Sequence, residues 1–70
     1  MDEKRERFVR IAEKRTNNIL EQIRLLGNCS NTNNYTYTED EIKKIFGVIE
    51  LQLKEVKNKF VHTNKERFKL

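Results

Sequence analysis

The chain has 70 residues, 36% apolar and 37% charged, with a formal net charge of +4. That is one small domain at most, and a core of this size is marginal without a disulfide, a metal or self-association. A single Cys excludes an internal disulfide, one Cys and one His cannot fill a tetrahedral zinc site, and no apolar run approaches the roughly 18 residues of a membrane span. The charged opening MDEKRERF is unlike a signal peptide. The expectation is a small cytoplasmic protein, without cofactor, stabilised by association with itself.

Residues 3–26 are rich in helix formers. Their apolar positions Phe8, Ala12, Ile19, Ile23 and Leu26 fall within about 60° of one another at 100° per residue. The spacing predicts an amphipathic helix with a narrow apolar stripe. Asp2 and Glu3 suit the positive end of its dipole. Gly27 stands where a left-handed cap would end it. Arg15 falls inside the stripe, so its guanidinium must reach the edge into water, fix a bundle register or bind an anionic partner.

From Gly27 to Tyr37 the chain is uncharged and carries four Asn. This is longer than the usual helix–helix connection of about 2–8 residues. Asn and Ser favour local turns, and Tyr with Asn and Ser is also the chemistry of adaptable protein recognition. The alternation Tyr35-Thr36-Tyr37-Thr38 is strand-like, but a lone strand has no partner. Cys29 has no cation beside it in the sequence to lower its pKa. It reads as a small loop residue. Two matches to the glycosylation pattern, at Asn28 and Asn34, read as chance in an Asn-rich loop.

Residues 39–60 repeat the helical pattern, with Ile42, Ile45, Phe46, Ile49, Leu53, Val56 and Phe60 on one face. Thr38 and Glu41 form a capping box, and Tyr37 with Ile42 the matching hydrophobic staple. Gly47 lies inside this helix, off the stripe. Residues 61–70 are expected to form a helical extension or a flexible tail. Their His62, the sole His, reads as exposed and without function.

Two matched helices with a chain reversal between them predict an all-α antiparallel hairpin over residues 1–60. Val9, Leu20, Leu25, Val48 and Leu51 lie off the stripes. Their burial requires a second hairpin, so a homodimeric four-helix bundle or a higher assembly is expected. No enzyme signature is present: no phosphate loop, no HExxH, no nucleophile elbow.

Two surfaces compete for a macromolecular partner. Asn28, Asn31, Asn34 and Tyr35 of the loop, with Arg15, suit a protein. Arg7, Arg10 and Lys14 on the first helix, with Lys43 and Lys54 on the second, would suit nucleic-acid phosphates. Interspersed acids leave each helical half at only +2, closer to an ordinary solvated surface than to a nucleic-acid arm.

The stretch from Arg7 to Arg15, Ile23-Arg24-Leu25-Leu26-Gly27-Asn28, Asn34 to Glu39 and Lys44-Ile45-Phe46 resembles a group of short uncharacterised bacterial proteins. Their pattern is IRLLGNxSNxxNYxYT, and they occur in low-GC bacteria, often with phage or mobile elements. The resemblance spans about residues 7–60 and implies a helical hairpin, without assigning an activity. In architecture the chain is also similar to the plasmid copy-control Rop type of dimeric hairpin, whose loop is far shorter. Together these imply a non-enzymatic helical oligomer that binds another macromolecule. A protein is expected, as partner of a mobile-element accessory or inhibitor; the alternative is a Rop-like nucleic-acid-binding bundle.

Overall fold

The computed structural model describes the backbone of residues 2–66 and the side chains of residues 2–61. Those residues are all-helical, without a strand among them. Helix α1 runs Glu3–Gly27, a short 3-10 turn follows at Asn28–Ser30, and helix α2 runs Glu39–Glu66. The chain divides into two units, Met1–Thr36 and Tyr37–Leu70, each built on one helix.

In the first unit, Asp2 caps α1. Its Oδ1 accepts the Lys4 backbone N–H at 2.7 Å, and its carbonyl accepts that of Glu6 at 3.1 Å. The side-chain contact satisfies one of the otherwise orphaned donors of the first turn, and the carbonyl contact is the first helical bond. Glu3 and Glu6 add negative charge at the positive end of the dipole. Near this end the Arg5 guanidinium lies over the Phe8 ring, 5.8 Å from its centroid. The arginine covers part of a ring that stays 51% exposed.

The C-terminal end of α1 departs from the sequence expectation. Gly27 is right-handed, with φ −60° and ψ −29°, and no described residue has positive φ. The left-handed glycine cap is therefore absent. The reason lies in the next residues. The backbone N–H of Asn28 reaches the carbonyls of Arg24, Leu25 and Leu26, so the last turn tightens into the 3-10 geometry of Asn28–Ser30 and satisfies its acceptors without reversing hand.

The start of the second unit follows expectation. Thr38 Oγ1 accepts the Glu41 N–H at 3.1 Å, and Glu41 Oε1 accepts the Thr38 N–H at 2.9 Å, the reciprocal pair of a capping box. The Thr38 carbonyl accepts the first helical bond from Ile42 at 3.1 Å, and Ile42 is half-buried. Three acids, Glu39, Asp40 and Glu41, occupy the first turn. The helix passes Phe60 and continues to Glu66, so the expected tail is helical over 61–66. Its remainder and the His62 side chain lie outside the described residues.

No described side chain is fully buried. Val9, Ile11, Ala12 and Leu26 of α1 and Ile42, Ile49 and Val61 of α2 are half-buried; the larger apolar residues are mostly exposed. On α2 the residues Ile42, Phe46, Ile49, Leu53, Val56 and Phe60 alternate spacings of four and three without interruption. This is a heptad seam over nearly three repeats.

Two substitutions test these ends. Thr38→Ala removes the N-cap acceptor and should cost about 1 kcal/mol, read as a lower denaturant midpoint by circular dichroism. Gly27→Ala should stabilise by about 0.4–1 kcal/mol, because φ is negative and an added Cβ meets nothing within 4 Å. A left-handed Gly27 would give the opposite sign.

Candidate interaction surface

The neutral segment after α1 is organised by one residue. Asn31 follows the 3-10 turn, its own N–H reaching the Asn28 carbonyl at 3.3 Å. Its carbonyl accepts the N–H of Asn34 at 3.1 Å and of Tyr35 at 3.0 Å. Its side-chain Oδ1 accepts the N–H of Asn33 at 2.9 Å, an Asx turn. Four Asn are equivalent by composition, but this one holds the turn, and its acceptor is committed to the backbone. Asn28, Asn34 and Tyr35 are exposed on the same turn, Tyr35 at 51%. They offer amides and one aromatic ring with no charge. Cys29 is an exposed free thiol within the 3-10 turn.

In the second unit, Tyr37, Glu41, Lys44, Ile45, Val48 and Ile49 line an open hollow of about 550 Å³ at the start of α2. Its floor is aliphatic, its rim is the Tyr37 phenol with one acid and one base. Periodicity pointed to the stripe residues Ile45 and Ile49, while Val48 was read only as surplus and the rim charges were missed.

The structure separates the remaining expected residues from the loop. Arg15 is exposed and makes no hydrogen bond or ion pair among the described residues. It stands twelve residues before Gly27, roughly 18 Å along the helix, so it does not share a patch with Asn28, Asn31, Asn34 and Tyr35. Arg7, Arg10 and Lys14 are exposed on one side of α1, and Lys43 and Lys54 are exposed on one side of α2.

One ion pair had escaped the sequence reading. Glu21 accepts from both Nε and Nη2 of Arg24, at 3.1 and 2.6 Å, a bidentate contact one turn apart. The spacing i,i+3 was the available signal. The Arg24 guanidinium holds the Glu21 carboxyl below its ordinary pKa, and Glu21 in turn raises that of Arg24. Both groups are solvent-exposed, so the pair is a local contact rather than a source of global stability.

Among the described residues no group of three or more His, Cys, Asp or Glu side chains is placed to hold a metal ion, and no helix is long and apolar enough to cross a membrane. Comparison with known proteins finds no matching family, no similar curated protein and no similar solved structure.

The Glu21–Arg24 pair has a pH signature. A depressed folded-state pKa means that its contribution is present above the unfolded carboxyl pKa and is lost as pH falls through the folded value. Carboxyl-detected NMR should place the Glu21 titration below the ordinary glutamate range. In Arg24→Ala that midpoint should move up, with the other glutamates unchanged.

Proposed function

We propose that this chain is a non-enzymatic helical hairpin that self-associates into a four-helix bundle and binds a protein partner through its neutral loop and the adjoining helix ends. Amphipathic helices with exposed apolar stripes support the bundle. The residues Phe8, Ile19, Leu20, Ile23, Phe46, Val48, Leu51, Leu53 and Phe60 are among the large apolar side chains that stay exposed, and a water-exposed surface of that kind marks an interface.

The observation that carries the choice of partner surface is the loop itself. Asn31 orders the turn from within, so the entropy cost of presenting Asn28, Asn34 and Tyr35 is met by the chain's own hydrogen bonds before a partner arrives. In the second unit, the open hollow beside Tyr37 is by itself apolar surface of the kind that protein contacts cover. The absence of charge from Gly27 to Tyr37 leaves no cation there to pair with phosphates.

The resemblance of residues 7–60 to short mobile-element proteins gives the proposed setting: a cytoplasmic accessory or inhibitor protein acting by occupancy rather than catalysis. The competing function is phosphate binding by Arg7, Arg10 and Lys14 with Lys43 and Lys54, all exposed.

Capture from the native host, with both proteins and nucleic acid identified, supplies the partner for a paired test. Asn34→Ala/Tyr35→Ala should weaken binding at least tenfold, about 1.4 kcal/mol, with the melting curve unchanged. Arg7→Ala/Arg10→Ala/Lys14→Ala should change it little. The reverse ranking, with log affinity falling steeply against log salt, overturns the protein reading and establishes the nucleic-acid one.

A further inference from the structure

The shapes of the side chains along the α2 seam, rather than their hydrophobicity, indicate how many helices meet there. In heptad letters Phe46, Leu53 and Phe60 occupy a, and Ile42, Ile49 and Val56 occupy d. Every d residue is branched at Cβ and no a residue is. In a two-stranded parallel coil the Cα–Cβ bond at d points straight across at the partner, where a branch at Cβ is crowded. In a four-stranded coil that orientation passes to a, and d accepts the branch. Unbranched residues at a with β-branched residues at d therefore favour assemblies larger than a pair.

The width of the apolar arc points the same way. Ile45, at the g position beside the seam, is 38% exposed. Counting it, the apolar residues cover about 100° of the helix. A pair of helices covers only the narrower line of a and d, whereas a helix in a bundle presents an arc of about this width.

Order follows from the flanks. One flank carries Ile45, Gln52 and Lys59, the other Lys43, Glu50 and Lys57. Antiparallel neighbours in full overlap set each flank against itself, Lys43 against Lys57 and Glu50 against Glu50. Sliding by one heptad mates Glu50 with a lysine but leaves Phe60 or Ile42 overhanging. Parallel neighbours set the two flanks against each other, Ile45 toward Glu50 and Gln52 toward Lys57, with no like charges opposed. The exposed acids of the first turn, Glu39, Asp40 and Glu41, then share one end, where salt screens them.

We infer that the partner of the α2 seam is three further copies of α2, and that the four helices of the bundle run parallel around it, one from each of four chains. The inference rests on the self-association proposed above and states its stoichiometry and order. Phe46 and Phe60 are 46% and 68% exposed, which leaves about 230 Å² of ring surface in water per helix at roughly 200 Å² per ring. Four helices thus offer on the order of 900 Å² from the rings alone, before the aliphatic positions are counted, against roughly 1,200–2,000 Å² in all for a stable interface. Parallel order also gathers the four Tyr37, each one residue before its cap, at one end. A partner that repeats its binding element meets several of them at once.

Equilibrium sedimentation of the full chain at physiological salt should find a tetramer. Exchanging the branching, with Ile42→Leu/Ile49→Leu/Val56→Leu and Phe46→Ile/Leu53→Ile/Phe60→Ile together, keeps the seam apolar and should change the stoichiometry from four to two with helicity retained. Order is read by a short bismaleimide linker in a Cys29→Ser background, on variants that leave the seam intact and so decide independently of the six substitutions. Gln52→Cys/Lys57→Cys should link chains in a ladder that ends at four. Lys43→Cys/Lys57→Cys should stay unlinked. A monomeric wild type overturns the self-association reading and this inference with it. A wild-type dimer or trimer, a folded exchange variant that stays at four, or linking through Lys43→Cys/Lys57→Cys overturns this inference alone.

Discussion

An α-helix cannot bury its own side chains, and every other feature of this chain follows from that constraint. A helical surface presents each residue outward, so an apolar stripe is covered only by another element. Here both helices carry stripes, and no described side chain is fully buried. Ile42, Phe46, Ile49, Leu53, Val56 and Phe60 form a seam with the 3.5-residue period of a packed helix pair. The equivalent positions of α1 are Phe8, Ala12, Arg15, Ile19, Gln22 and Leu26, the same alternation of four and three with two polar members.

What terminates the helices is local and self-contained. Asp2 closes one N-terminus with a side-chain acceptor, and Thr38 with Glu41 closes the other with a reciprocal pair. The first turn of α2 carries three acids, each placed favourably against the dipole. These contacts are worth of order 1 kcal/mol each, enough to set where a helix begins and too little to hold a fold. The holding must come from burial of the stripes, at about 25 cal/mol per Å². This division explains how boundaries can be sharp in a chain whose apolar surface is still open.

Charge on the helices acts as locally as the caps do. The surface is nearly balanced, with 15 Lys+Arg against 11 Asp+Glu, so specificity has to come from placement. On α1 the acids are few, and Glu21 is held in its charged form by Arg24. A carboxylate so paired, on the same side of α1 as Arg7, Arg10 and Lys14, is a directional feature within that basic face. The neutral loop adds a second directional surface, since Asn31 spends its own acceptors to shape the turn on which Asn34 and Tyr35 stand.

Much of this was legible in the residues alone. The apolar period of both helices, the Thr38–Glu41 cap and the acid-first turns are readable because each rests on contacts within four residues. The outcome at Gly27 was not, because glycine accepts either hand; the carbonyls reached by Asn28 decided it. The extension of α2 to Glu66 was not, because the stripe signal ended at Phe60 while nothing in 61–66 breaks a helix. Among four similar Asn, only folded geometry singled out Asn31, since a turn is defined by which donor lies within reach of which oxygen. The sequence by itself determined where helices form and which face of each is apolar, because both are set by a fixed angular step. The three-dimensional structure decided how the chain leaves α1, which amide shapes the loop and which carboxylate is paired, because those depend on distances that spacing does not specify.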